Sequence, residues 1–528
     1  MGKRHLVFHY SMSVGVHVCW LLLKKENDHL LVVAENGIQP YLADRFWSCK
    51  PLIIILKCHW LSLVMGQQSM IDIMIRYLGI KTKIVSPITK AIEEITPKKY
   101  GVLDLFAGSN TVACALMKDY SVFTNDYQKY SYVAARTLIE AHPQSLIKGL
   151  SSDKVFGKFY QANFTELSKR FKTPLRTEQK LLDDIENTYH GSTFDKFVAF
   201  FNSSAYVNET TSYHSSFADC ISFFSVKEIK RYKANNKLFP YTLFSTYYAN
   251  PYFSLRQCLE VDSLRYSIDK LLESKAITPE EHNIYLSCLI YCLNLIVISV
   301  GDHFAQPQKI QDVTKDLSDS NDKKHLRERK KIIGKKRQVV QSIFTQKLME
   351  FKEEYVPGNT DNKAFNRHYR DLLSSDDLDT CNIKTVYIDP PYTNAHYSRF
   401  YHIPETLVLY DYPDIAFQGR YRTDRYQSEF GIKRQAMVEF DRMLKLVKGR
   451  KYNAVISYSD TSQCILTIDD IKDMCIEVYG NKPNVIVDTA DHMYRNFGQK
   501  PNKVLAKEYI ISCCINAEDL LEEDEEQK

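Results

Sequence analysis

Asp389-Pro390-Pro391-Tyr392 closes the apolar run Val386-Tyr387-Ile388 and carries the parts needed to activate an amino group on an aromatic ring. Such a nitrogen is a poor nucleophile, because its lone pair is delocalised into the ring. A carboxylate and a backbone carbonyl accepting its two N–H bonds draw it towards tetrahedral geometry and free the lone pair for methylation. Each proline lacks an N–H and has φ locked, so the pair can fix a carbonyl pointing into a site. The tyrosine ring offers a flat face to an extruded base. The same four residues also read as a strand ending in a proline-rich turn, and alone they leave both readings open.

A second constellation is Asp104-Leu105-Phe106-Ala107-Gly108-Ser109-Asn110. A strand that delivers a small-residue turn into a helix N-terminus lets a ligand approach the backbone closely. Asp126 follows at the end of the next strand, at the spacing an α/β nucleotide-type site uses to bring a carboxylate onto ribose hydroxyls. The alternative for Asp126 is a helix N-cap for the segment from Tyr127, and both roles can hold together. Upstream, Arg76-Tyr77-Leu78-Gly79-Ile80-Lys81 reads as a helix-boundary turn that could also close over the charged end of a cofactor.

In chain order, Tyr77 to Lys81, Asp104 to Asn110, Asn125-Asp126 and Asp389 to Tyr392 resemble the Dam-type, alpha-class adenine-N6 DNA methyltransferases, over about residues 74 to 512. The resemblance implies S-adenosylmethionine as methyl donor, held by Tyr77, Lys81, Asp104, Phe106, Gly108, Asp126 and Asp389, and no metal. It makes Asp389, Pro390, Pro391 and Tyr392 the catalytic set acting on an adenine flipped from double-stranded DNA; the alternatives are an amino methyltransferase acting on RNA or on cytosine N4, or a catalytically silent DNA-binding subunit. Asn110 stands where that family's turn usually has a second glycine; asparagine tolerates positive φ, so the turn is expected to survive. A cognate restriction endonuclease and a cytoplasmic, monomeric enzyme fit the same resemblance.

These residues need a scaffold that brings distant segments together. The expected fold is α/β, a Rossmann-like, mostly parallel sheet with a large inserted helical recognition region. Residues 70–148 form the first catalytic part, 149–380 the insert, 381–515 the second catalytic part and 516–528 an acidic tail. Residues 1–69 hold all three tryptophans and show poor periodicity. They read as a dispensable extension or a misassigned start. Short apolar runs predict strands at 102–106, 121–124, 386–388, 454–456, 485–487 and 509–511. The basic run Lys323 to Lys331 with Lys335-Lys336-Arg337 suits phosphate contact as well as a solvated helix face. Gly301 to Pro307 either lines a cleft or caps the preceding helix.

Composition excludes more than it identifies. A 528-residue chain with 25% charged and 44% apolar residues can bury two or three domains' worth of core, and its net charge of +5 only weakly favours an anionic partner. The 13 cysteines form no CxxC pair, so disulfides and structural zinc are not expected. The longest apolar stretch, Tyr285 to Val300, falls short of the roughly 20 residues a membrane span needs and predicts a buried helix.

Overall fold

Short apolar strands build a seven-stranded sheet: β1 (Gly101–Asp104), β2 (Val122–Asn125), β3 (Lys363–Phe365), β4 (Ile383–Ile388), β5 (Asn453–Asp460), β6 (Val485–Arg495) and β7 (Lys503–Cys513). This computed structural model describes residues 6–7, 21–26, 29–34, 84–185, 191–206, 215–308, 323–391, 393, 396–461, 464–480, 483–495 and 503–516. The spatial order is β6-β7-β5-β4-β1-β2-β3. Strands β1 to β5 pair in parallel, and β7 runs antiparallel to both β5 and β6.

Successive side chains of a strand point to opposite faces, and here both faces are covered. Val102, Val122, Tyr387 and Val455 pack into one core, whereas their neighbours Leu103, Phe123, Val386 and Ile456 pack into a second. The first face receives α1 (Val85–Ile95), α2 (Thr111–Leu116) and α3 (Lys129–Leu138) through Ile88, Ile92, Val112 and Val133.

Between α3 and β3 the chain leaves the sheet for a long helical segment. Its principal helices are α4 (Lys158–Arg170), α5 (Lys172–Asp184), α6 (Gly191–Phe201), α7 (Leu255–Glu273), α8 (Pro279–Ile296), α9 (Lys323–Arg337) and α10 (Val340–Glu354). Capping boxes start α7 (Ser254 with Gln257) and α8 (Thr278 with Glu281, Pro279 in the first turn). The apolar stretch from Tyr285 is the buried part of α8, as its length predicts, and α8 packs on α3, where the Thr137 and Ser287 hydroxyls meet at 2.8 Å. No helix among the described residues is long and apolar enough to cross a membrane.

The two ends of this segment are clamped together. His142 N donates to the Tyr355 hydroxyl (2.6 Å), Asn362 Nδ2 to the Ile139 carbonyl (2.9 Å), and Val122 N to Asn362 Oδ1 (2.7 Å). Gly358 permits the approach, since a Cβ there would lie 2.2 Å from the Ile139 oxygen. The chain re-enters the sheet at Lys363, inside the range assigned to the insert from sequence. A three-residue edge strand is too short to show an alternating pattern.

After β4 come α11 (His402–Leu409), α12 (Ala436–Gly449) and α13 (Ile468–Tyr479); the last two cover the second face through Phe440, Met443, Ile471 and Cys475. All of this belongs to one unit, Met70–Lys528. Met1–Ser69 is a separate unit, in which Leu6–Val7, Leu21–Glu26 and His29–Ala34 pair as an antiparallel sheet. The acidic tail from residue 517 lies outside the described residues.

Candidate active site

A parallel sheet opens a crevice at the carboxyl ends of its strands where the strand order reverses, and here that point lies between β1 and β4. One pocket there is lined by Asp104, Phe106, Gly108, Asp126, Asp389, Pro390 and Pro391, so residues 287 positions apart in sequence share a site. Tyr392, Tyr77 and Lys81 lie outside the described residues.

The turn after β1 is held on every side. Leu105 N donates to the Tyr387 carbonyl (3.0 Å), tying it to β4, and Ala107 N to the Asn125 carbonyl (2.9 Å), tying it to β2. Gly108 stands at φ +50, and Asn110 at φ +62 occupies the left-handed region just before α2. Asparagine therefore does take the conformation that a glycine would take at no cost. Asn125, paired with Asp126 in sequence, is itself a structural joint. Its Nδ2 donates to the carbonyls of Leu105 and Arg367 (3.2 Å each), and its Oδ1 accepts Arg367 N (3.1 Å).

Asp126 accepts Gly108 N on Oδ2 (2.9 Å) and Gln128 N on Oδ1 (2.8 Å), stapling the turn to the start of the next segment. It does not cap a helix. α3 begins at Lys129, and the Glu405 carboxylate of α11 caps it, accepting Lys129 N and Tyr130 N at 3.0 Å each. The segment behind the Asp389 motif thus grips the helix behind Asp126. Burial pushes the Glu405 carboxyl up to about 7, against the lowering effect of those amides. Sequence offers no local sign of this contact, because the partners lie 275 and 276 residues apart.

Three carboxylates crowd the crevice. Asp104 is buried, and its carboxyl is held well above its ordinary value by burial first, then by the charges of Asp389 and Asp126. Its Oδ1 has no hydrogen-bond partner. A buried oxygen left in that state costs free energy and marks a place for a donor from a ligand. Burial also raises Asp126, with the Gln128 and Gly108 amides opposing. Among the described residues no group of histidine, cysteine, aspartate or glutamate side chains is arranged to hold a metal ion.

The pocket mouth is aromatic. The Tyr127 and Tyr426 rings lie 4.2 Å apart between centroids, with His368 edge-on to Tyr127 at 6.0 Å. Tyr127 is half exposed, and its place after Asp126 in the sequence points only to a helix start. Beneath, the Tyr387 hydroxyl meets Ser457 Oγ at 2.8 Å.

Two expectations for the helical segment resolve differently. The basic run does form a helix, α9, but much of it faces protein. Arg329 lies over the Phe194 ring (4.2 Å), Lys336 over Phe201 (4.0 Å), and Lys335 Nζ donates to the Val297 carbonyl (2.8 Å). Phosphate contact by the whole run is therefore corrected; among its described side chains Arg327, Lys330, Lys331 and Arg337 are the exposed basic members. Gly301 to Pro307 ties the segment to the stretch behind the motif: Phe304 N donates to the Phe400 carbonyl (3.0 Å), and Phe304 O lies 2.9 Å from His402 Nε2.

Residues 77–238 match the family model for D12 class N6 adenine-specific DNA methyltransferases, a range that holds the Gly108 turn and Asp126 and stops before Asp389. The modification methylase LlaI of Lactococcus lactis subsp. lactis is 23% identical, across 76% of this chain and 48% of its own length. The modification methylase StsI of Streptococcus sanguinis is 22% identical across 80% and 49%, and the type II methyltransferase M.FokI of Planomicrobium okeanokoites 23% across 64% and 38%. The chain spans about half the length, or less, of these relatives. No solved structure matches it. Residues 77–238 of the chain are thus similar to the D12 class N6 adenine-specific DNA methyltransferases.

Proposed function

We propose that the chain methylates N6 of adenine in double-stranded DNA, using S-adenosylmethionine, and that the sheet with its long helical segment is a Rossmann-like methyltransferase domain carrying a DNA-recognition insert. The observation that carries this reading is the meeting of Asp389-Pro390 with Asp104, the Gly108 turn and Asp126 in one crevice. The residues fit such a cofactor: the bare Gly108 backbone admits close approach, and the unpaired Asp104 oxygen calls for a donor. Tyr77, Lys81, Phe106 and Asp126 complete the proposed cofactor contacts. When bound, S-adenosylmethionine supplies a methyl group activated by its sulfonium.

The chain's own task is to make the amino nitrogen reactive. Asp389 and the Pro390 carbonyl accept its two N–H bonds, Pro391 fixes the turn, and Tyr392 stacks on the extruded ring. Localising the lone pair in a site already crowded with negative charge favours the positive charge that develops on nitrogen. The extra proton leaves after transfer, so no strong base is needed beforehand. A restriction-modification setting, with a cognate endonuclease, agrees with the names of the relatives.

The test is to map N6-methyladenine in DNA from cells expressing the chain and from cells expressing Asp389→Ala. Methylated adenines in a fixed sequence context, absent with the variant, are expected. Equal methylation by the two would end the assignment of Asp389.

A further inference from the structure

Arginines near the crevice are mostly neutralised. Arg367 pairs with Asp377 (2.7 Å), Arg422 with Asp411 and Asp424 (2.6 and 2.9 Å) and Arg442 with Glu439 (2.9 Å). Arg399 and Arg425 break the pattern. Among the described residues, neither has a carboxylate within ion-pair distance, although Asp424 sits beside Arg425 in sequence and is committed to Arg422.

The two segments carrying these arginines run side by side along the pocket wall. Ser398 Oγ donates to the Tyr426 carbonyl and receives Arg425 Nη1 at 3.3 Å. Ser398, Tyr426 and His396 all line the pocket with Asp389. Arg399 is exposed and Arg425 partly buried. The charged or titratable groups that act on Arg425 are Arg399 and the Tyr421 phenol, and both guanidinia also act on His396. Two cations on adjoining segments repel one another, and among the described residues no carboxylate pairs with either to offset this. A phosphodiester would, since guanidinium groups recognise phosphate oxygens in a fixed fork geometry.

Building on the proposed function, we infer that Arg399 and Arg425 grip one backbone phosphate of the DNA strand whose base enters the pocket. They are positioning residues: they hold the extruded nucleotide beside Asp389 and touch no reacting atom. The contact is charge-assisted hydrogen bonding to the backbone and sequence-independent, and base identity is read elsewhere.

The test uses the full chain with a short labelled DNA duplex, read by fluorescence anisotropy over a series of salt concentrations. S-adenosylmethionine binding by calorimetry is measured alongside. For Arg399→Gln with Arg425→Gln, duplex affinity should fall about tenfold and the slope of log affinity against log salt should drop by about one phosphate's worth, with cofactor binding unchanged. Arg399→Lys with Arg425→Lys should restore most of the slope. If the double glutamine variant fails to bind cofactor, the single variants decide, each losing part of both effects. An unchanged slope and affinity in a variant that binds cofactor overturns the phosphate grip alone. A wild-type chain that binds cofactor but no duplex at any salt overturns the proposed function and the grip with it. Single-stranded RNA that displaces the duplex as well as unlabelled DNA does overturns the assignment to DNA.

Discussion

Lys336 in the helical segment and Asp104 in the sheet crevice are both buried ionisable groups, yet their surroundings differ in kind. Lys336 has Phe201 beneath it and the Glu178 carboxylate opposite, and Glu178 in turn accepts the first amides of α7 at 2.6 and 2.9 Å. Burial raises the Glu178 carboxyl and lowers the Lys336 ammonium, each opposed by the charge of the other. Every part of that arrangement is answered from within the protein. Asp104 faces two further carboxylates and keeps an oxygen without a partner. Charge that is answered internally serves the fold; charge left unanswered serves a ligand.

Four experiments can break or sharpen this contrast. Asp389→Ala should lower methyl transfer to DNA by ~10³-fold or more, read as labelled methyl incorporation, while the thermal midpoint stays put. Asp126→Ala should weaken S-adenosylmethionine binding by about ten- to a hundredfold, the value of one or two lost hydrogen bonds to a charged group. Calorimetry would show it, and an unaltered affinity would remove Asp126 from the cofactor site. Lys336→Met belongs to the other class. It should cost about 1–3 kcal/mol in denaturant unfolding, softened because Glu178 can take up a proton, and leave cofactor affinity alone. Reduced cofactor affinity with full stability would collapse the distinction.

The smallest effect concerns Glu405. Its folded carboxyl lies above its unfolded value, so the folded state holds the proton more tightly. Its contribution is present in full below about pH 4.5 and is lost as pH rises towards about 7. Glu405→Gln should therefore flatten the fall in stability across that window, measured by unfolding at a series of pH values. A variant with the wild-type slope would rule Glu405 out as its source.

Much of this crevice was legible in the chain because its parts are local. Asp104 to Asn110 spells a strand, a turn and a helix start, and the run before Asp389 spells a buried strand ending in two prolines. The long strands β6 and β7 were found, though only at their apolar cores. What sequence did not disclose depends on contacts between distant residues. Glu405 on the amides of α3, Asn125 joining three loops and the short edge strand β3 show no local periodicity. The basic run misled for a related reason. Charge density marks a helix with cations, but only packing decides that Arg329 and Lys336 turn inward while Lys330 and Lys331 remain outside.

The meeting of Ile139 and His142 with Tyr355 and Asn362 bears on how such a chain could be re-engineered. A segment of some two hundred residues leaves and rejoins the sheet at nearly one point, so the sheet experiences it as a closed loop. Loop-closure entropy grows only logarithmically, about 0.6 kcal/mol for each doubling of length. A change in the segment's length would thus cost little in loop closure if Gly358 and Asn362 are kept, but any replacement would also have to restore the packing of α8 on α3 and the ties of Phe304 to Phe400 and His402. The clasp sets where a segment can be spliced in, and the surfaces of α3 and α11 set what can be spliced there.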